Sequence, residues 1–138
     1  MTGYLLDTNV VSETRKSRPD AGVIAFLSAA GAEGLFLSVL TLGELSKGVA
    51  LRRRIDPVAA SELGMWVEGI TANFADRILP IDSATASRWG ELSARRSLPV
   101  IDMLIAATAL TRNLTLVTRN TRDFEVSGAL LLDPWQTR

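Results

Sequence analysis

Short, unbroken apolar runs alternate along this chain with longer segments of helical character. The runs are Gly3-Tyr4-Leu5-Leu6, Leu35-Phe36-Leu37, Ile78-Leu79-Pro80-Ile81, Leu114-Thr115-Leu116-Val117 and Ala129-Leu130-Leu131-Leu132. Each has the length of a buried strand, and they are continuously apolar rather than alternating as a half-exposed strand would be. Asp7-Thr8-Asn9 turns the first run into a helix. Further helices are predicted over 23–30 with Gly31 as the stop, over 41–54, from Asp56-Pro57 to about residue 76, from an Asp82 cap to about residue 96, and from 101 to about 112. The last is apolar on nearly all sides, which predicts a central position. Continuously apolar strands alternating with helices imply a parallel sheet covered on both faces. The expected fold class is α/β: three layers, α/β/α, around a central parallel sheet of four to five strands.

Composition narrows the chemistry. The 138 residues predict one domain spanning 1–138, without repeats or low-complexity segments. At 47% hydrophobic the chain is too apolar to be disordered, yet no apolar run approaches the length that spans a bilayer. No basic segment precedes the first apolar run and Asp7 interrupts it, so a signal peptide is not expected and the cytoplasm is the expected compartment. Lys and Arg together number 15, as do Asp and Glu, so any contact with a polyanion must come from local patches. Cys and His are both absent. That excludes disulfides, a thiolate nucleophile, zinc sites of the usual kind and a histidine general base. Carboxylates, hydroxyls, amides, Arg, Lys16, Lys47 and a metal ion remain.

In an open parallel sheet ligands sit beyond the carboxyl ends of the strands, and acids cluster at those positions here. Asp7 directly follows the first strand, where it also suits a helix N-cap. Glu44 lies in the first turn of the predicted 41–54 helix, where Thr41-Leu42-Gly43-Glu44 also matches a capping box. Asp102 opens the most apolar helix, and a carboxylate at such an edge needs a partner to offset its desolvation. Asp123 follows the fourth strand in Thr118-Arg119-Asn120-Thr121-Arg122-Asp123-Phe124, which also reads as a polar turn. Carboxylates sharing one crevice cannot all stay ionised without a cation, and oxygen donors select a hard divalent ion, Mg²⁺ or Mn²⁺. Asn9, Thr118 and Asn120 can supply neutral oxygens or orient a ligand water.

Four stretches in order carry a resemblance to a known family: Leu5-Leu6-Asp7-Thr8-Asn9; Ser38 to Leu45 with Gly48; Leu98 to Ala109; and Thr118-Arg119-Asn120 with Asp123-Phe124. Together with the Asp133-Pro134-Trp135 ending, they resemble the PIN-domain ribonucleases, and more closely the VapC-like toxins of type II toxin–antitoxin systems. The resemblance implies a PIN-like fold and places the family's acidic quartet on Asp7, Glu44, Asp102 and Asp123, with Asp7 and Asp102 as direct metal ligands, Glu44 as a ligand directly or through water or else a base on the attacking water, and Asp123 as the fourth metal-site acid. It implies Mg²⁺-assisted endonucleolytic hydrolysis of RNA phosphodiester bonds, with Mn²⁺ able to substitute. It also implies a homodimer and a cognate antitoxin whose DNA-binding end provides the only link to DNA. An Arg from that partner could bond two of the clustered carboxylates at once, and apolar helix surface near Trp66 or Trp89 could take the rest of the segment.

Other chemistry fits less well. Gly43 to Gly48 and Gly64 to Gly69 have the glycine spacing of a phosphate loop but lack its lysine, since Val49 and Ile70 stand there. A phosphoaspartate receiver or phosphatase would use a lysine near the end of a later strand, and only Arg is found there. A non-catalytic interaction module would not need the four acids. Arg119 and Arg122 flank the acids and are candidate RNA contacts, while Arg52-Arg53-Arg54, Arg95 and Arg96 form a further basic set. Trp66, Trp89 and Trp135 are too scattered for a stacking platform and are expected in the core or an interface.

Overall fold

A computed structural model of the chain describes residues 3–95 and 97–136. The five apolar runs form strands β1 (Gly3–Leu6), β2 (Leu35–Ser38), β3 (Ile78–Leu79), β4 (Leu114–Val117) and β5 (Leu131–Leu132). All pair in parallel, in the order β3-β2-β1-β4-β5. The helices are α1 (Thr8–Glu13), α2 (Ala21–Ala30), α3 (Val39–Arg53), α4 (Pro57–Asn73), α5 (Ser83–Ser93), α6 (Val100–Thr111) and α7 (Thr121–Phe124).

Side-chain alternation along the strands divides the apolar residues between two cores. Leu6, Leu35, Leu37 and Val117 face one way and pack with α1 to α4 through Val10, Val23, Leu45, Val49 and Val67. Leu5 and Leu116 face the other way, against Met103, Ile105, Ala106 and Ala109 of α6 and Phe124 of α7. This is the expected three-layer arrangement. From Met103 to Ala109, α6 is buried at all but one position, and only its first turn, Val100 and Ile101, opens to solvent.

Capping residues place the helix starts. Asp20 accepts from Gly22 N and Val23 N, Asp56 from Ala59 N beside Pro57, and Asp82 from Thr85 N. Each such cap contributes about 1 kcal/mol. For α3 the cap is Ser38, whose Oγ accepts from Leu40 N at 3.0 Å. The predicted capping box therefore does not form. Thr41 is fully buried inside the helix and Glu44 lies in its second turn. The predicted helices began too late at 23 and 41 because apolar periodicity starts after the cap. The outer strands β3 and β5 shorten to two residues each, and α4 ends at Asn73 rather than near 76. Arg96 lies outside the described residues.

The strand order places the central crossover between β1 and β4. Connections from β1 run to β2 and β3 on one side, and β4 and β5 lie on the other. A ligand crevice is expected beyond the carboxyl ends of these two neighbours.

Candidate active site

Asp7 emerges from β1 at that crevice. Its backbone N–H still pairs with Val117 O of β4 at 2.9 Å, so the sheet ladder itself fixes the residue. The side chain is only 7% exposed. Asp7 Oδ1 accepts the Thr8 N–H at 2.9 Å, so the N-cap reading holds, and Oδ2 accepts the Thr118 hydroxyl at 2.8 Å. Burial raises its pKa above the usual carboxylate value. The two hydrogen bonds oppose that shift, and the charges of Asp102 and Glu44 add to it.

Thr118 directly follows β4 and is completely buried. Besides donating to Asp7, its Oγ1 accepts from Asn120 N at 3.0 Å and from Asn9 Nδ2 at 3.4 Å. Asn9 Oδ1 in turn accepts the Arg119 N–H at 3.4 Å. The three polar residues expected beside the acids therefore form one network that ties the end of β4 to α1 and orients Asp7.

On the β2 side, Thr8 Oγ1 donates to Glu44 Oε1 at 2.6 Å and lies 3.3 Å from Thr41 Oγ1. Glu44 is otherwise exposed. Thr8 and Thr41 were not singled out by sequence. The available signal was the hydroxyl beside Asp7 at the start of α1, but the contact to α3 depends on a crossing that periodicity does not encode.

Asp102 lies in the first turn of α6, partly buried. Its pKa is raised by burial, then by the charges of Glu44 and Asp123. Asp123 sits exposed in the short helix α7, where a turn was expected. Asp7 thus lies within the field of Asp102 and Glu44, and Asp102 within that of Glu44 and Asp123, which makes the four acids neighbours in pairs. Among the described residues no Lys or Arg forms an ion pair with any of them. No group of three or more acidic side chains among those residues is arranged to hold a metal ion by itself.

The cations lie around this crevice rather than in it. Arg119 places its guanidinium 4.9 Å from the Trp135 ring centre, on its own chain, and Arg122 is exposed. Arg52 and Arg53 occupy the last turn of α3, where positive charge suits the helix end. Sequence reasoning missed Arg15 and Lys16, which with Thr8, Ser12, Glu44 and Trp66 line a cavity of about 330 Å³ immediately beside the acids. The signal was the basic run Arg15-Lys16-Ser17-Arg18 just after α1. The spaced glycines of α3 and α4 lie in helix interiors, not in phosphate-binding loops.

A parallel α/β sheet with Asp7 at the carboxyl end of β1, beside the end of β4, puts these acids where open α/β folds place their ligands. The PIN domain family model matches residues 4–128, and this chain belongs to that family. It is 35% identical over 137 residues to the VapC ribonuclease Y4jK of Sinorhizobium fredii, covering 96% of this chain and 97% of the relative. It is 34% identical over 137 residues to the toxin FitB of Neisseria gonorrhoeae, covering 95% and 97%. The crystal structure of FitAcB from Neisseria gonorrhoeae superposes with a TM-score of 0.86 at 34% identity, over 96% of this chain and 99% of that one.

Proposed function

We propose that this chain is a metal-assisted endoribonuclease and the toxin of a type II toxin–antitoxin pair. One observation carries the reading: a buried Asp7 carboxylate at the central crossover, facing further acids with no ion-paired cation among the described residues. The similarity to a protein named as a VapC ribonuclease and to one named as a toxin supports it. A phosphoaspartate mechanism finds no lysine at the carboxyl end of β4 or β5, since Lys16 follows α1 and Lys47 lies in α3.

The donor set fits a hard ion. Mg²⁺ is typically held through one or two carboxylates and keeps several waters, so it does not need three acids closed around it. Asp7 and Asp102 would hold it, and Asp123 would add negative charge behind Asp102. When bound, the ion supplies an acidified water and neutralises charge on the phosphate. Thr118 and the Thr8 N–H hold the Asp7 carboxylate in one orientation. Glu44, steered by the Thr8 hydroxyl, accepts the proton of the attacking water.

With its capping role removed, Glu44 gives a clean test. Glu44→Gln keeps an acceptor for Thr8 and lies on an exposed surface, so stability should change by less than about 0.5 kcal/mol. Cleavage should fall by about a hundredfold, the usual scale of a general base. Steady-state rates beside a melting curve check this, and undiminished rates would remove Glu44 from the mechanism. The function itself is tested by sequencing RNA ends after brief expression. New ends should accumulate with the wild-type chain, and their absence would overturn the ribonuclease reading.

The partner expected for such a toxin is an antitoxin that presents an Arg to the acids. That Arg would compete with the ion for Asp7, Glu44 or Asp102. Inhibition should therefore weaken across a rising Mg²⁺ series, and an Arg→Ala partner should inhibit poorly at every concentration. Inhibition insensitive to both would place the partner's action outside the crevice. The exposed Ile55, Val58 and Met65 on the α3–α4 pair offer an apolar face for the expected homodimer. Among the described residues no helix is long and apolar enough to cross a membrane.

A further inference from the structure

The cavity beside Glu44 has two unlike kinds of lining. The helices α3 and α4 contribute apolar lining: Leu45, Gly48, Leu63 and Trp66. Helix α1 and the segment after it contribute cationic and hydroxylic lining: Arg15, Lys16, Ser12 and Thr8. Thr8 and Glu44 belong to both this cavity and the acidic crevice, so whatever fills the cavity abuts the reacting centre. Its volume of about 330 Å³ lies at the lower end of small-ligand sites.

The cationic lining is held in place. Buried Glu13 accepts from Lys16 Nζ at 2.8 Å and from Asp20 N at 2.9 Å, fixing the segment that joins α1 to α2. Among the described residues Arg15 makes no ion pair, so its guanidinium keeps its donors for a ligand. Gly48 adds a second feature. A side chain there would meet nothing within 4 Å, although Gly is unfavourable inside a helix. The packing of this chain therefore does not require the glycine, and its small size leaves the cavity open.

We propose that this cavity is a nucleotide subsite, in which an unpaired RNA base next to the scissile phosphate packs on Trp66 while Arg15 and Lys16 hold the adjoining backbone phosphate. The inference rests on the ribonuclease reading and adds to it where the RNA lies. Arg15 favours a phosphodiester, because its guanidinium carries no ion pair among the described residues; Lys16, paired with Glu13, adds a weaker pull, and Glu44 at the same cavity keeps the phosphate on the Arg15 side. Single-stranded RNA is commonly recognised by an aromatic face beside a basic groove.

Binding can be measured apart from catalysis. The probe is a fluorescein-labelled single-stranded RNA dodecamer pool of random sequence, titrated by anisotropy in EDTA across a salt series. Arg15→Gln should lower the slope of log K against log salt by about 0.7, the loss of one single-strand phosphate contact. Trp66→Leu, which keeps an apolar side chain at the core edge, should weaken binding about tenfold and leave the slope unchanged. Gly48→Leu should raise the melting temperature, through better helix propensity, while weakening RNA binding; misfolding cannot produce that pair of results. Arg88→Gln, on α5, should change nothing. In Mg²⁺, Trp66→Leu should also alter the sequence preference of the cut ends.

A wild-type chain that cuts RNA while Arg15→Gln, Trp66→Leu and Gly48→Leu all bind and cut like it would overturn the subsite and leave the ribonuclease reading intact. A wild-type chain that neither binds nor cuts RNA would overturn both. Loss of partner binding in Trp66→Leu with RNA binding unchanged would assign the cavity to protein alone and also overturn the subsite.

Discussion

Asp7→Asn should lower RNA cleavage by about a hundredfold or more, the scale on which single preorganised electrostatic groups act, and should at the same time make the protein more stable without metal. The fold tolerates the change because an Asn oxygen can still accept the Thr8 N–H. The Thr118 hydroxyl, which already accepts from Asn120 N and Asn9 Nδ2, gives up its bond to Asp7 in the variant, a loss worth about 1 kcal/mol. The stability gain follows from the raised pKa of Asp7, which arises first from burial. A group that holds its proton more tightly when folded contributes most below the ordinary carboxylate pKa. That contribution is lost as pH rises through the raised folded value. Asn resembles the protonated side chain and does not lose it. The melting temperatures of Asp7→Asn and wild type in metal-free buffer should therefore nearly coincide at acid pH and diverge toward neutrality, with the variant higher. Asp102→Asn should behave alike with a smaller gain, because Asp102 is less buried. Wild-type cleavage by both variants would place the reacting centre elsewhere. A variant less stable than wild type at neutral pH would contradict the electrostatic account of Asp7.

Chelation should be equally severe. Treatment with EDTA should reduce cleavage to background, and Mg²⁺ or Mn²⁺ should restore it. A second readout is independent of catalysis. An ion that binds only the folded state at tenfold its dissociation constant stabilises by about 1.4 kcal/mol, which raises the melting temperature of a domain this size by about 3–5 °C. That shift should appear in the wild type and vanish in Asp7→Asn. Cleavage that survives exhaustive chelation would remove the metal from the mechanism.

The parts legible in the sequence were those encoded locally. The β1 and β4 runs are too short and too apolar for anything but buried strands, and each pairs as a full four-residue strand. Asp7 directly follows β1, and Asp102 and Asp123 lie in the first turns of α6 and α7, while Glu44 falls in the second turn of α3. The errors are informative in the same terms. Thr41 and Glu44 have the spacing of a capping box, but Ser38 lies three residues upstream at the point where the extended backbone ends, and it takes the cap. The crossing of α1 over α3 brings Thr8 onto Glu44, and the chain path after α1 brings Arg15 and Lys16 beside Trp66 of α4. These are contacts between helices far apart in sequence, and no periodicity carries them. Arg119 and Arg122 drew attention by their position after β4, and both are exposed there, Arg119 with its guanidinium over the Trp135 ring.

The most direct test of the central claim is the chemistry of the cut ends. A chain without histidine that hydrolyses RNA by water attack at this crevice should leave a terminal phosphate monoester, with one oxygen drawn from solvent. Mass spectrometry of RNA cut by the purified wild-type protein in Mg²⁺ and ¹⁸O-labelled water should show a single label on each new phosphate end. No 2′,3′-cyclic phosphate should appear, and Asp7→Asn should give no labelled product. Cyclic phosphate ends, or labelled ends formed equally by Asp7→Asn, would contradict the account.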